Sequence, residues 1–301
     1  VLDRIGPGDP GNPASGARAD GDGSAAIGEA IELLAGRRIT VLTGAGISTD
    51  SGIPDYRGPD SPPRTPMTYQ QFVGDPGRRR HYWARNHVGW RHVDRTQPNP
   101  GHHALSRMEA VGSVVGVITQ NVDTLHQAAG SRKVIDLHGR YDRVVCLSCR
   151  RVVSRDHVAA RLHVLNPHFA DDVADAEIAP DADAVIEATT HFRVADCEHC
   201  GGILKPDIVY FGENVPKPRV EAAYAMVDSA DALLVAGSSL TVLSGLRFVR
   251  HAHKANRPIV IVNRGRTRGD DLASVKIDAG CSPVLTELSA TMSAAAARSP
   301  A

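Results

Sequence analysis

Read for hydrophobic periodicity, the chain carries short, nearly continuous apolar runs at residues 39–42, 114–119, 134–137, 208–211, 232–236, 259–262 and 275–277. Most of these runs lack the alternation of a half-solvated strand, so they predict strands buried on both faces, as in a parallel sheet. Between them, residues 25–35, 103–110, 219–229 and 244–255 repeat apolar positions every three or four residues and predict helices. Strands and helices in alternation predict an α/β fold, a doubly wound Rossmann-like parallel sheet with helices on both faces.

Two stretches break the alternation. Residues 59–101 are rich in proline and aromatic side chains, and residues 140–204 hold both pairs of closely spaced cysteines. Both read as insertions, so a smaller domain built from 59–101 and 140–204 is expected beside a Rossmann-like domain of 25–58, 102–139 and 205–288. Residues 1–24 mix Gly, Pro, Ala, Asp and Arg with few large apolar side chains and are expected to be a disordered arm. Residues 289–301 are expected to be a frayed tail, and the acidic stretch 171–187 a solvent-exposed excursion.

Composition narrows the partners. A chain of 301 residues can bury one sizeable core plus a small satellite. Its 34 Lys and Arg balance 34 Asp and Glu, so no global field draws it to nucleic acid or anionic lipid. Sparse aromatics argue against a base-stacking surface, and Arg78-Arg79-Arg80 reads as a solvated helix face. The apolar runs are too short to span a bilayer, and the first residues lack the apolar segment of a secretory signal. A soluble, cytoplasmic monomer is expected, with no nucleic-acid or membrane partner.

Four of the five cysteines form two CxxC pairs, Cys146 with Cys149 and Cys197 with Cys200; Cys281 stands alone. Two such knuckles supply four thiolates, a closed tetrahedral shell for one structural zinc with no open position for water. The 47 residues 150–196 between the pairs exceed the roughly 15 to 20 of a compact zinc ribbon.

Candidate chemistry lies where the predicted strands end. After the first comes VLTGAGISTDSGIPDYRG, residues 41–58. Gly44, Ala45 and Gly46 sit where a strand hands over to a short predicted helix and a phosphate could be cradled, but Thr49 occupies the place of the third glycine of a dinucleotide fingerprint. A proline-broken loop carrying Asp55, Tyr56 and Arg57 then replaces the usual second strand; the GAG alone would equally suit a surface turn. The second strand ends in Gln120, Asn121 and Asp123, an amide pair and an acid suited to a carboxamide and ribose hydroxyls, or simply to capping a helix. His138, followed by Gly139, ends the third and is a general-base candidate, although with 14 histidines in the chain a lone one is more often structural. Gly237, Ser238 and Ser239 could bind phosphate, and Asn263 is placed like a ribose contact.

Taken in order, GAGISTDSGIPDYRG, TQNVDTLH, LHG, CLSC, CEHC, KPDIVYFGE, GSSL and VNR resemble the sirtuins, NAD-dependent protein deacylases, from about residue 31 to 288. RHYWARNHVGW at 80–90, QPNPGHHALS at 97–106 and the long gap between cysteine pairs resemble the class II, mitochondrial sirtuin-four type and its bacterial relatives.

The resemblance implies an enzyme that cleaves NAD at its nicotinamide bond and transfers the acyl group of an acyl-lysine protein or peptide to ADP-ribose. Ala45, Gly46 and the following helix start would hold the pyrophosphate, with Arg57 nearby and Asp55 and Tyr56 on the cofactor loop. Asn121 and Asp123 would orient the nicotinamide ribose and carboxamide, and His138 would be the general base. Gly237, Ser238, Ser239, Asn263 and Cys281 would contact the adenosine side, while Val209, Phe211, Gly212 and Glu213 match the strand that pairs with substrate backbone. An alternative within this resemblance is mono-ADP-ribosyl transfer from the same pocket.

For the acyl group, the desuccinylating branch pairs a Tyr with an Arg three residues on, a spacing that Tyr82 and Arg85 share. Counting from Pro76 instead gives Trp83 and Asn86 as counterparts. An Asn in place of a guanidinium would not clamp a carboxylate, so weak action on acetyl and succinyl groups and better action on longer or branched ones is expected.

Overall fold

The computed structural model describes residues 21–57, 65–169 and 189–298. In chain order the first half runs α1 (Gly21–Leu34), β1 (Ile39–Thr43), α2 (Tyr69–Gly74), α3 (Pro76–Arg95), α4 (Pro100–Ala110), β2 (Val114–Thr119), α5 (Leu125–Ala128) and β3 (Val134–Asp136). There follow β4 (Gly139–Cys146), β5 (Val152–Ser154), α6 (Arg155–Leu165), β6 (Leu204–Ile208), α7 (Lys217–Asp228), β7 (Ala232–Ala236), α8 (Leu243–Lys254), β8 (Ile259–Val262), β9 (Val275–Ile277) and α9 (Cys281–Arg298).

Six strands form one sheet in the order β3-β2-β1-β7-β8-β9, every neighbouring pair parallel. Every residue of β1, β7 and β8 is buried, because helices cover both faces. On one face Leu34 of α1, Leu105 and Met108 of α4 and Leu285 and Leu288 of α9 pack against Val41 and Leu234. On the other, Val227 of α7 and Leu246, Phe248 and Val249 of α8 pack against Leu42 and Leu233. This is the doubly wound Rossmann-like sheet expected from the apolar runs. Strand order reverses between β1 and β7, and such a switch point opens a crevice beyond the strands' carboxyl ends.

A second, three-stranded antiparallel sheet, β5-β4-β6, packs with α2, α3 and α6 around its own aromatic core of Phe72, Tyr82, Trp83, Trp90 and Tyr141. Helix α3 starts sharply: the Asp75 carboxylate accepts from the Gly77 and Arg78 amides, and Pro76 supplies the first helical residue. Within the arginine run, Arg79 donates to the Phe72 and Val73 carbonyls at the end of α2, and Arg80 to Thr190 O. Two of its three members therefore tie segments together.

Several expectations are corrected. The strand expected at 208–211 is instead Leu204–Ile208, and it belongs to the antiparallel sheet. Lys205 and Pro206 disguise it in the sequence; Lys205 is buried because its ammonium pairs with Glu213 at 2.8 Å. The short helix expected after β1 is two single 3-10 turns, Ala45–Ile47 and Thr49–Ser51, ended by Gly52 at φ 87°. Helix α1 begins at Gly21, inside the stretch read as an arm. Helix α9 runs through the expected tail to Arg298, with Ser289 and Met292 buried, because Leu285, Leu288 and Met292 continue one apolar stripe. Residues 1–20 and the acidic stretch 171–187 lie outside the described residues. No helix among the described residues is long and apolar enough to cross a membrane.

Candidate active site

A cavity of about 900 Å³ lies between the two sheets, reaching from the carboxyl ends of β1, β2, β7 and β8 to the small aromatic core. Its floor is made where the turns after β1 and β7 touch. The Gly46 amide donates to Gly237 O at 2.8 Å, and a Cβ on Gly44 would stand 2.8 Å from that same oxygen. Gly237 itself, at φ 66°, could take no side chain: its Cβ would lie 2.2 Å from Ile47 N. These glycines fuse two turns into one surface. Because the Gly46 amide is spent on that contact, an anion above the floor would rely on other donors.

From the next strand end, Asn121 Nδ2 donates to Gly44 O at 3.1 Å and to Ser48 Oγ at 3.0 Å. Ser48 in turn donates to Asp123 Oδ2 at 2.7 Å, while Asp123 Oδ1 accepts from the Leu125 amide at 3.0 Å. Burial pushes the Asp123 carboxyl up from its ordinary value against these donors. Thr124, directly behind it, is held at φ 62°, a region a β-branched residue rarely visits. The amide and the acid are thereby fixed by the protein's own bonds.

His138 follows β3 and is held at both nitrogens. Nδ1 lies 2.8 Å from the Gln120 carbonyl oxygen and Nε2 lies 2.8 Å from Ser244 Oγ. Burial lowers its pKa to about 4, helped by the Arg219 and Arg247 charges against the opposing bond to Gln120, so the imidazole is neutral at physiological pH. Gly139, the next residue, has a packing role. At φ 87° it packs against β6, where a Cβ would meet Asp207 O at 2.0 Å.

Every residue expected at the cofactor lines the cavity, including Gly44, Ala45, Gly46, Asp55, Tyr56, Arg57, Gln120 and Asn263. Ser238 donates to Gln120 Oε1 at 2.6 Å, and Tyr56 meets Phe211 edge to face at 6.4 Å. Cys281 lines it too, but burial pushes its thiol up to about 12, so it contributes shape and no nucleophile. Val209, Phe211, Gly212 and Glu213 border the cavity, with part of their backbone already engaged: Val209 N donates to His138 O, and Tyr69 N donates to Phe211 O.

Trp83 and Asn86 are not brought to the cavity. Trp83 is buried with Nε1 donating to Leu204 O, and Asn86 Oδ1 accepts from Arg155 Nη2 at 2.9 Å. Arg155 is itself fully buried, its guanidinium 5.3 Å from the Trp83 ring and 5.2 Å from the Trp90 ring. That cation turns residues 83 and 86 of α3 away from the cavity. Helix α3 and β4 line it with Tyr82, Val93 and Tyr141 instead, none of them charged. Tyr82 was singled out from the sequence only for its spacing to Arg85, and Ser48 and Ser244 were not singled out. Ser48 had a signal, a hydroxyl two residues past the GAG; Ser244 lies 106 residues from its partner and had none.

The four paired cysteines converge, with all Sγ atoms within 4.8 Å of one another, Cys146 to Cys200 at 3.5 Å and Cys149 to Cys197 at 3.8 Å. A tetrahedral zinc with bonds of about 2.3 Å needs sulfur separations of about 3.8 Å. The set fits that ion, and none of the four cysteines lines the cavity.

A Sir2 family domain is matched over residues 44–244. The chain is 62% identical over 274 residues to NAD-dependent protein deacetylase 1 of Mycobacterium avium (strain 104), covering 90% of this chain and 97% of that one. It is 51% identical over 266 residues to NAD-dependent protein deacetylase 1 of Streptomyces coelicolor, covering 88% and 89%. Among solved structures, one of a Sir2 enzyme superposes with a TM-score of 0.71 at 31% identity, covering 90% of this chain and 99% of the other. A Sir2 homologue in complex with NAD superposes at 0.69 and 28% identity, covering 89% and 94%. A Sir2 complex with a p53 peptide and NAD superposes at 0.66 and 30%, covering 87% and 96%. With the family matched over two thirds of its length and the switch-point cavity in place, this chain belongs to the Sir2 family.

Proposed function

We propose that this chain is an NAD-dependent protein deacetylase, taking acyl groups from lysine side chains of peptides and proteins. The observation that carries the reading is the placement of a neutral, doubly held His138 on the same cavity as Asn121 and Asp123. NAD, when bound, supplies a ribose carbon that becomes electrophilic as nicotinamide departs. Asn121 and Asp123, fixed through Ser48, orient the carboxamide and ribose. His138 Nε2 accepts a proton from a ribose hydroxyl, whose oxygen can then attack the acyl carbon joined to lysine. Tyr82, Val93 and Tyr141 give the acyl end a largely aromatic, uncharged wall. Phe211 and Leu243, 39% and 56% exposed, offer apolar rims where substrate backbone could lie.

The four-thiolate site is read as structural zinc, and cysteines held for a metal rather than as disulfides suit a reducing, cytoplasmic compartment. The class II reading rests on the sequences of residues 80–90 and 97–106 and on the spacing of the cysteine pairs. The test is His138→Tyr: loss of at least about 100-fold in acetyl-lysine turnover, with the fold intact, is expected. Near-normal turnover in that variant would remove the histidine from the mechanism.

A further inference from the structure

His138 and Ser244 both line the cavity, and the Ser244 hydroxyl sits 2.8 Å from His138 Nε2. The other ring nitrogen fixes the chemistry of this contact. Nδ1 lies 2.8 Å from a backbone carbonyl, Gln120 O, and a carbonyl can only accept, so Nδ1 carries the ring proton of the neutral imidazole. Nε2 then has a lone pair, and Ser244 Oγ–H donates to it. We propose that Ser244 is a positioning residue for the base: by donating to Nε2 it fixes the imidazole plane and the direction of its lone pair, and it yields that place to the ribose hydroxyl.

Ordinary uses of a serine here do not account for its geometry. Ser244 is the second residue of α8, whose N-cap, Val242, makes no side-chain cap hydrogen bond. A hydroxyl near an uncapped helix start would stabilise the helix by turning to its amides. It turns to the histidine instead. Ser244 also lines the cavity, and its neighbour Gly245 packs so closely on the Gln120 side chain that a Cβ there would lie 2.7 Å from Gln120 Nε2. Gln120 Oε1 accepts from Ser238 on the same β7–α8 connection. One residue, Gln120, thus fixes the Nδ1 proton through its carbonyl and the serine's helix through its amide.

The exchange balances. Nε2 has a single lone pair and accepts one strong hydrogen bond, so Ser244 and a ribose hydroxyl compete for it. When the hydroxyl transfers its proton, the O–H bond breaks, its electron pair stays on oxygen, and an N–H bond forms at Nε2. The resulting imidazolium donates at both nitrogens, to Gln120 O and to the Ser244 oxygen, which has lone pairs to accept. Arg219 and Arg247, the charged groups with an electrostatic effect on His138, both disfavour that cation, so a neutral hydroxyl acceptor beside it has a role.

This rests on the proposed deacetylase reading, and the test separates the two. In Ser244→Ala, nicotinamide exchange into NAD, which precedes the proton transfer to His138, should stay within about twofold, while deacetylation kcat falls roughly 10-fold, the scale of one hydrogen bond. Ser244→Thr should restore most of it. Equal loss of exchange and deacetylation in both variants, or normal deacetylation in Ser244→Ala, would overturn the proposal. A second readout needs no turnover. Imidazole ¹⁵N spectra of the free enzyme, with the His138 signals assigned by their loss in His138→Tyr, should show a single Nδ1–H tautomer. Ser244→Ala should shift the Nε2 resonance; an unchanged His138 spectrum would overturn the proposal even if the deacetylase reading had failed.

Discussion

Ser48 donates to Asp123 across 2.7 Å and receives from Asn121 across 3.0 Å, which joins the turn after β1 to the loop after β2 through one hydroxyl. The acid is oriented by this bond and by the Leu125 amide, not by its charge alone. Asp123→Asn keeps the shape but replaces one of those acceptors with a donor facing a donor. Nicotinamide inhibition should weaken about 10-fold, measured as the inhibition constant at fixed NAD, the scale of a misdirected hydrogen bond to a charged group. Unchanged inhibition would show that Asp123 does not orient the carboxamide.

Two buried histidines and the half-buried His138 give the protein an acid sensitivity. Burial lowers His102 and His138 to about 4 and His126 well below its ordinary value. In the folded state they stay neutral, whereas the unfolded chain takes up their protons as pH falls through about 6.5. Stability is therefore lost on acidification from about 6.5 toward 4, by up to about 1.4 kcal/mol per histidine per pH unit. Urea midpoints should fall clearly between pH 7.5 and 5.5; Asp123 and Asp136, both raised by burial, offset the loss only nearer the carboxylate range. For activity the same shift means that kcat/KM should show no limb near pH 6.5. A limb there that disappears with His138 would mean the imidazole is far more solvated than this cavity allows.

How much of this was legible in the sequence depended on whether burial was written locally. β1, β7 and β8 are mostly apolar because both faces are covered, and their ends placed Gly44, Gly237 and Asn263 on one crevice. β6 was hidden because Lys205 is buried against Glu213, a compensation eight residues away. The end of α9, from residue 289, was read as a tail because alanine and serine dominate it, although alanine is the best helix former. The facing of α3 was out of reach. It is decided by Arg155, 69 residues beyond Asn86, which no periodicity within the helix encodes.

That correction changes the expected acyl preference. Among the described residues α3 and β4 offer the cavity Tyr82, Val93 and Tyr141, and Arg85 is no carboxylate clamp there: it lies beside His81 at 3.3 Å and does not line the cavity. Acetyl-lysine peptides should be turned over faster than succinyl-lysine peptides, and Arg85→Met should leave that ratio unchanged. Efficient desuccinylation that collapses in Arg85→Met would mean that α3 turns the other way. Asn86→Ala, by contrast, should cost about 2 kcal/mol or more in urea unfolding, since it deprives a buried guanidinium of its side-chain acceptor, with the acetyl-to-succinyl ratio unaltered.

Removing the metal should damage the small sheet first. Cys146 ends β4 and stands 3.5 Å from Cys200, so a zinc there would pin the knuckle before β5 to the turn leading into β6. Structural zinc contributes about 10 to 16 kcal/mol of apparent binding energy in small modules. Cys146→Ser should lose bound zinc by elemental analysis and lose hydrogen-exchange protection in β4–β6 while β1 and β7 stay protected. One zinc per chain with full protection would rule out the four-cysteine site.

The central claim is that the cavity at the β1–β7 switch point moves an acyl group from lysine to ADP-ribose. The most direct measurement is mass spectrometry of all products from purified protein, NAD and an acetyl-lysine peptide. Free lysine peptide, nicotinamide and O-acetyl-ADP-ribose in equal amounts are expected, with all three suppressed together in His138→Tyr. ADP-ribose attached covalently to the peptide or protein, with the acetyl group still on lysine, would contradict the account and assign the pocket to ADP-ribosyl transfer.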